Sequence, residues 1–171
     1  MRRVRERRKM FSFGDKVTYK NNGVCILEGT VTKGSYGAQA EYYVLRPLAR
    51  PNSSVFVPCA NETLTASIKP LMTPDQTREL LDLLKSAAEV WDDDDRKRTE
   101  LLRSAVNSED RLLIGSVIRT LSTRKAQRAL AGKKLYSADE RFLKEAGEIL
   151  VSEVSASLSV TEDEALSLIL A

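Results

Sequence analysis

The chain has 171 residues, of which 42% are hydrophobic, so it can bury a core as one large or two small domains. It has two cysteines and no histidine, which excludes a disulfide framework, Cys/His zinc sites, Ser-His triads and histidine acid-base chemistry. A net charge of +3 hides an uneven distribution: residues 1–10 carry six basic residues and one acid, a local +5, so the remaining chain carries −2.

Residues 1–9 read as a basic, disordered tail that could touch phosphates. No apolar run reaches the length of a membrane span, and the charged N-terminus does not resemble a signal peptide. Cys25 and Cys59 are expected to be small apolar core residues in a reducing cytoplasm.

From 11 to 69 the pattern is that of β-structure. Val17 and Tyr19 alternate with polar residues, Asn22-Gly23 marks a turn, and Val24, Ile26 and Val31 continue the pattern. Glu41 to Leu45 forms a β-branched and aromatic run that Arg46-Pro47 stops; Ser54 to Val57 forms another, stopped by Pro58. Gly34 and Gly37 punctuate one hairpin and Pro51-Asn52 another. Short strands packed this densely predict a small, bent sheet of the SH3/Tudor sort.

The character changes at Pro70. Thr73-Pro74-Asp75-Gln76 combines an N-cap, a proline at the first helical position and a glutamine three residues after the cap. Ser137 to Glu140 and Thr161 to Glu164 read as capping boxes, and Ser108 followed by Glu109 and Asp110 as a weaker helix start. Apolar stripes follow: Leu80, Leu84, Ala87; Ile114, Val117, Ile118, Leu121; Phe142, Ala146, Ile149, Leu150. Gly132 sits where a helix could end. The expected fold class is therefore α+β, with a helical unit of four or five helices between 73 and 170.

No phosphate-cradling loop, nucleophile elbow or metal spacing appears, so neither catalysis, a cofactor nor a metal is expected. The interval 111–138 holds Arg111, Arg119, Arg124, Lys125, Arg128, Lys133 and Lys134 without one acid, which is the footprint of a polyanion partner. The competing reading is a solvated helix face with one or two arginines tied to helix C-termini, and Arg119, beside the core stripe, fits that reading. Trp91, the only tryptophan, is followed by Asp92 to Asp95 and then Arg96-Lys97-Arg98. The acids fit a helix N-terminus. Trp91 lies seven residues beyond Leu84, in phase with its stripe if that helix continues, and can be either a packed junction residue or an apolar wedge against DNA.

Phe11 to Val17 (FSFGDKV), Tyr19, Asn22-Gly23-Val24, Tyr42 to Leu45 and Val55 to Pro58 together resemble the N-terminal signature of the CarD/CdnL family. Val117 to Leu121 and Ser137 to Arg141 resemble two of that family's helical motifs. The likeness runs from Met10 to about residue 158 and divides the chain into a Tudor-like domain over 10–69 and a helical domain over 70–171. It implies a cytoplasmic bacterial transcription regulator, associated with the nucleoid through RNA polymerase. The first domain would bind the polymerase β subunit, as the corresponding part of transcription-repair coupling factors does. The second would contact promoter DNA without strong sequence choice and modulate the open complex. No membrane or small-molecule substrate is implied. For the polymerase face the resemblance points to Lys33, Phe56, Val55 and Val57, with Phe56 standing where some relatives have an arginine. For the DNA face it points to Trp91, Arg96, Lys97, Arg98, Arg124, Lys125, Arg128, Lys133 and Lys134. Relatives place basic residues directly after the tryptophan, whereas this chain interposes four acids. Either the basic triplet is the displaced counterpart or the DNA contact is weakened. A polymerase adaptor without DNA contact is the alternative reading.

Overall fold

The computed structural model describes residues 11–171, so the basic tail expected over 1–9 lies outside the described residues. They form two compact units, one ending at Leu71 and one spanning Met72–Ala171.

The first unit is a five-stranded antiparallel sheet: β1 (Lys16–Tyr19), β2 (Val24–Lys33), β3 (Ala40–Pro47), β4 (Val55–Pro58) and β5 (Ile68–Pro70), in the order β4-β3-β2-β1-β5. Alternation does the sorting, because successive side chains face opposite sides. Val17, Tyr19, Cys25, Leu27, Leu45, Val57 and Ile68 are buried together, and Phe11, Tyr43, Val55 and Leu64 pack on them. The turn at Asn22-Gly23 is a single 3-10 turn over Lys20–Asn22, closed by Gly23 at φ 68°. Gly34 (φ +125°) admits no side chain, since a Cβ there would lie 2.3 Å from the Ala38 carbonyl oxygen. The register of β2 against β3 shifts between Leu27 and Gly29, a bulge that bends the long strand. Helix α1 (Glu62–Ala66), capped by Asn61 through the Leu64 amide, was not foreseen: five residues are too few for a helical period to show. Strand β5 carries the sheet through Pro70, the residue where the sequence changes character.

Cys25 is buried and Cys59 half-buried. Burial pushes the Cys25 thiol up to about 11, against the smaller opposing pull of the Arg50 charge.

The second unit contains α2 (Pro74–Leu84), α3 (Asp95–Val106), α4 (Arg111–Leu130), α5 (Ser137–Leu158) and α6 (Glu162–Leu170). The boxes at Thr73/Gln76 and Thr161/Glu164 form reciprocally as expected. Helix α4 starts at Asp110 rather than Ser108: the Asp110 carboxylate accepts from the amides of Leu112 and Leu113. Gly132 ends α4 at φ 70° as the sequence indicates, with Gly132 and Lys133 amides returning to Ala129 and Arg128 carbonyls. The box expected at Ser137 does not form; Tyr136 is the N-cap residue, without a side-chain cap bond.

Leu84, Leu102, Ile114, Val117, Ile118, Leu121, Phe142, Leu150, Val154 and Ile169 form the centre of the helical core. Helices α2 and α4 meet at Gly115, where an added Cβ would lie 2.6 and 2.8 Å from the two Leu84 methyl carbons. Among the described residues, buried polar side-chain atoms are partnered except Arg124 Nε. Glu153 accepts the Met72 amide and both forks of Arg111, and the Thr120 hydroxyl accepts the Val90 amide. Arg119 donates to the carbonyl oxygens of Ile169 and Ala171 at the C-terminal end of α6, the role its place near the core stripe suggests.

Candidate functional site

Two surfaces collect the residues singled out by the sequence. On the sheet, alternation along β4 leaves Val55 half-buried, Phe56 40% exposed and Val57 fully buried. Phe56 is thus not a core residue, but Val57 is. Val57 is withdrawn from the expected polymerase face, because a core side chain has no surface to offer. Lys33, at the end of β2, reaches across β3 to place its ammonium 3.2 Å from the centroid of the Phe56 ring. The arrangement is an exposed cation–π pair that presents an apolar ring and a positive charge side by side.

The second surface is assembled from the segment after α2, the start of α3, the second half of α4 and the start of α5. Helix α2 stops at Leu84, and residues 85 to 94 are not helical. Trp91 is therefore not the continuation of the Leu80/Leu84 stripe. It is half-buried, packs partly against the helical core, and donates its indole N–H to Asp93 at 2.9 Å. The guanidinium carbons of Arg98 and Arg124 lie 4.6 and 4.4 Å from its ring centroid.

The acidic run has local work. Asp92 accepts the Asp94 amide, Asp93 holds the indole, Asp94 caps α3 through the Lys97 amide, and Asp95 accepts from Arg98. The sequence reading of these acids as helix-start groups holds for the cap.

The basic triplet divides. Arg96 and Lys97 are exposed, Arg96 loosely paired with Glu100 at 3.8 Å. Arg98 is only 4% exposed, so it leaves the expected DNA-contact set. Its Nε lies 3.2 Å from both Asp139 oxygens, its Nη2 2.7 Å from Asp95 and its Nη1 3.2 Å from the Asp92 carbonyl. Burial opposes its charge, but the hydrogen bonds and charges of Asp95 and Asp139 outweigh that opposition and hold its pKa above the usual arginine value. Asp139, read from the sequence as a capping acid, is this buried partner.

The acid-free interval is less bare in space than along the chain. Arg111 pairs with Glu153, Arg124 with Glu89 at 3.2 Å and Lys125 with Glu140 at 2.6 Å. Arg128 donates to the Lys134 carbonyl and lies 4.6 Å from the Tyr136 ring. Lys133 and Lys134 are exposed, with no carboxylate partner among the described residues. Trp91, Arg124, Gln127, Arg128, Leu135, Tyr136 and Asp139 line a cavity of about 130 Å³. Sequence reasoning missed Tyr136 and Asp139. An aromatic residue between a lysine pair and a helix start was a usable signal for the first, and nothing in the local spacing marked the second.

What this arrangement can do is offer cations and aromatic rings; among the described residues no group of acids, cysteines or histidines could hold a metal ion. A family model described as the CarD-like/TRCF RID domain matches residues 11–72, and one described as the CarD C-terminal domain matches residues 79–170. The chain belongs to the CarD family. A Bacillus subtilis (strain 168) protein named "Putative transcription factor YdeB" is 24% identical over 161 residues, covering 91% of this chain and 97% of that protein. CarD proteins are non-enzymatic transcription factors, and the RID-like unit places this chain among regulators that act through RNA polymerase. Among the described residues no helix is long and apolar enough to cross a membrane.

Proposed function

We propose that the first unit docks on the RNA polymerase β subunit through the face carrying Lys33 and Phe56, with Val55 at its margin. The helical unit then contacts promoter DNA through Trp91, Arg96, Lys97, Arg124, Lys125, Arg128, Lys133 and Lys134 and changes the lifetime of the open complex. The observation that carries the reading is the meeting of the sole tryptophan, Tyr136 and several cations on one surface, beside two lysines without acidic partners among the described residues. Phosphate contacts of this kind position a protein without reading sequence, so promoter choice comes from tethering to polymerase, which raises the local DNA concentration. Binding of the full chain to random duplex across a salt series tests this. Affinity should fall steeply with salt, with a slope of about 0.9 per phosphate contact. Salt-independent or undetectable binding overturns the DNA half.

A second reading, an adaptor that never touches DNA, is favoured by Glu89, Glu140 and Glu153, which neutralise three cations of the basic interval. Under it, Trp91→Ala leaves open-complex lifetime unchanged, and polymerase binding survives through the first unit alone.

A further inference from the structure

We infer that Arg98 is the positioning residue of the Trp91 surface: it fixes the indole and Tyr136 in place from beneath and touches no ligand. The inference rests on the reading of that surface as the DNA contact. The same indole has two guanidinium neighbours with different bonding. Arg98 directs three nitrogens to three places at once, the Asp139 carboxylate on α5, the Asp95 carboxylate on α3 and the Asp92 carbonyl before α3. Its Cζ lies 4.6 Å from the Trp91 centroid and 5.6 Å from that of Tyr136. Arg124 is held by one exposed glutamate, and its buried Nε has no hydrogen-bond partner among the described residues. One group is a fixed support and the other a cover that can exchange Glu89 for a phosphate.

Only the planar, forked guanidinium meets the geometry at Arg98, because an ammonium is a single point charge. A buried ion pair is weak evidence for net stability, since well-packed apolar residues can replace it without loss. What the pair does here is register: it ties the start of α3 to the start of α5 at the place where both rings sit.

The test uses the full chain and exploits Trp91 as the only tryptophan. Emission maximum and acrylamide quenching of Trp91 are read in Arg98→Lys and in the double variant Arg98→Gln/Asp139→Asn, which removes both charges and leaves neither buried alone. Asp95→Asn, at a side chain 79% exposed, stands in if the double variant does not fold. The expected result is a shifted emission and readier quenching, with duplex affinity falling roughly three- to thirtyfold, as for a residue that acts without touching the ligand. The salt slope should stay unchanged, which a residue contacting phosphate would not allow. A slope smaller by about 0.9 in the double variant makes Arg98 a direct contact and overturns the inference. So does unmoved fluorescence, or moved fluorescence with unchanged affinity while Trp91→Ala binds weakly. If Trp91→Ala itself binds DNA like the parent chain, the DNA reading of the surface fails, and the fluorescence alone decides whether Arg98 holds the indole.

Discussion

The two candidate surfaces are held in place by different means. On the sheet, Lys33 and Phe56 are placed by strand pairing, and the buried Val57 alternates with Phe56 along β4. Removing an exposed side chain there leaves the ladder of backbone hydrogen bonds intact. On the helical unit, Trp91, Arg124, Arg128 and Tyr136 come from separate segments, and the buried Arg98–Asp139 pair joins α3, which follows Trp91, to α5, which follows Tyr136. The difference teaches where each surface is fragile: the first at its own exposed groups, the second at a buried residue, Arg98.

The largest expected effect breaks this contrast or keeps it. Arg98→Ala leaves the Asp139 carboxylate buried without a partner and should cost about 3–5 kcal/mol in chemical denaturation. A loss below about 1 kcal/mol would mean the pair carries no such role. Next, Val57→Ala should cost about 2 kcal/mol of stability, as a truncation inside the sheet core. Its neighbour Phe56→Ala should stay within about 0.5 kcal/mol in stability. The same Phe56 variant should weaken binding to a polymerase β-subunit fragment by about 2 kcal/mol, roughly thirtyfold. Equal binding by parent and variant removes Phe56 from the polymerase face. A smaller effect belongs to Asp94→Ala, which deletes the α3 cap and should lower stability by about 1 kcal/mol. Smallest in stability are Lys133→Gln and Lys134→Gln, which should leave the melting temperature unchanged and each reduce the salt slope of DNA binding by about 0.9. Unchanged slopes would place the duplex elsewhere.

Four of the five strands, their turns, two of the three capping boxes and the helix stop at Gly132 are legible in the sequence, because each rests on residues within a few positions of one another; the three-residue β5 is too short to show a period. The failures share a cause. Ser137 to Glu140 has the spacing of a capping box, yet Asp139 faces Arg98, 41 residues earlier, and no local count shows that. The acid-free interval was read along the chain, whereas its counter-charges Glu89, Glu140 and Glu153 all lie outside it. The seven-residue spacing puts Trp91 in phase with Leu84 only if α2 continues, and α2 ends at Leu84, about two turns short of it. Val57 was read as surface from the family likeness, although the alternation with Phe56 along β4 already placed the two on opposite faces.

The glycine at 115 gives this arrangement a genetic signature. With the Leu84 methyl carbons less than 3 Å from where its Cβ would stand, any replacement pushes the Leu84 side chain, at the end of α2, out of its place in the core. A selection for loss of stability, if it samples the helical unit evenly, should therefore return alleles at 115 beside those at the core leucines. Their suppressors should be smaller side chains at 84, not new charges on the surface.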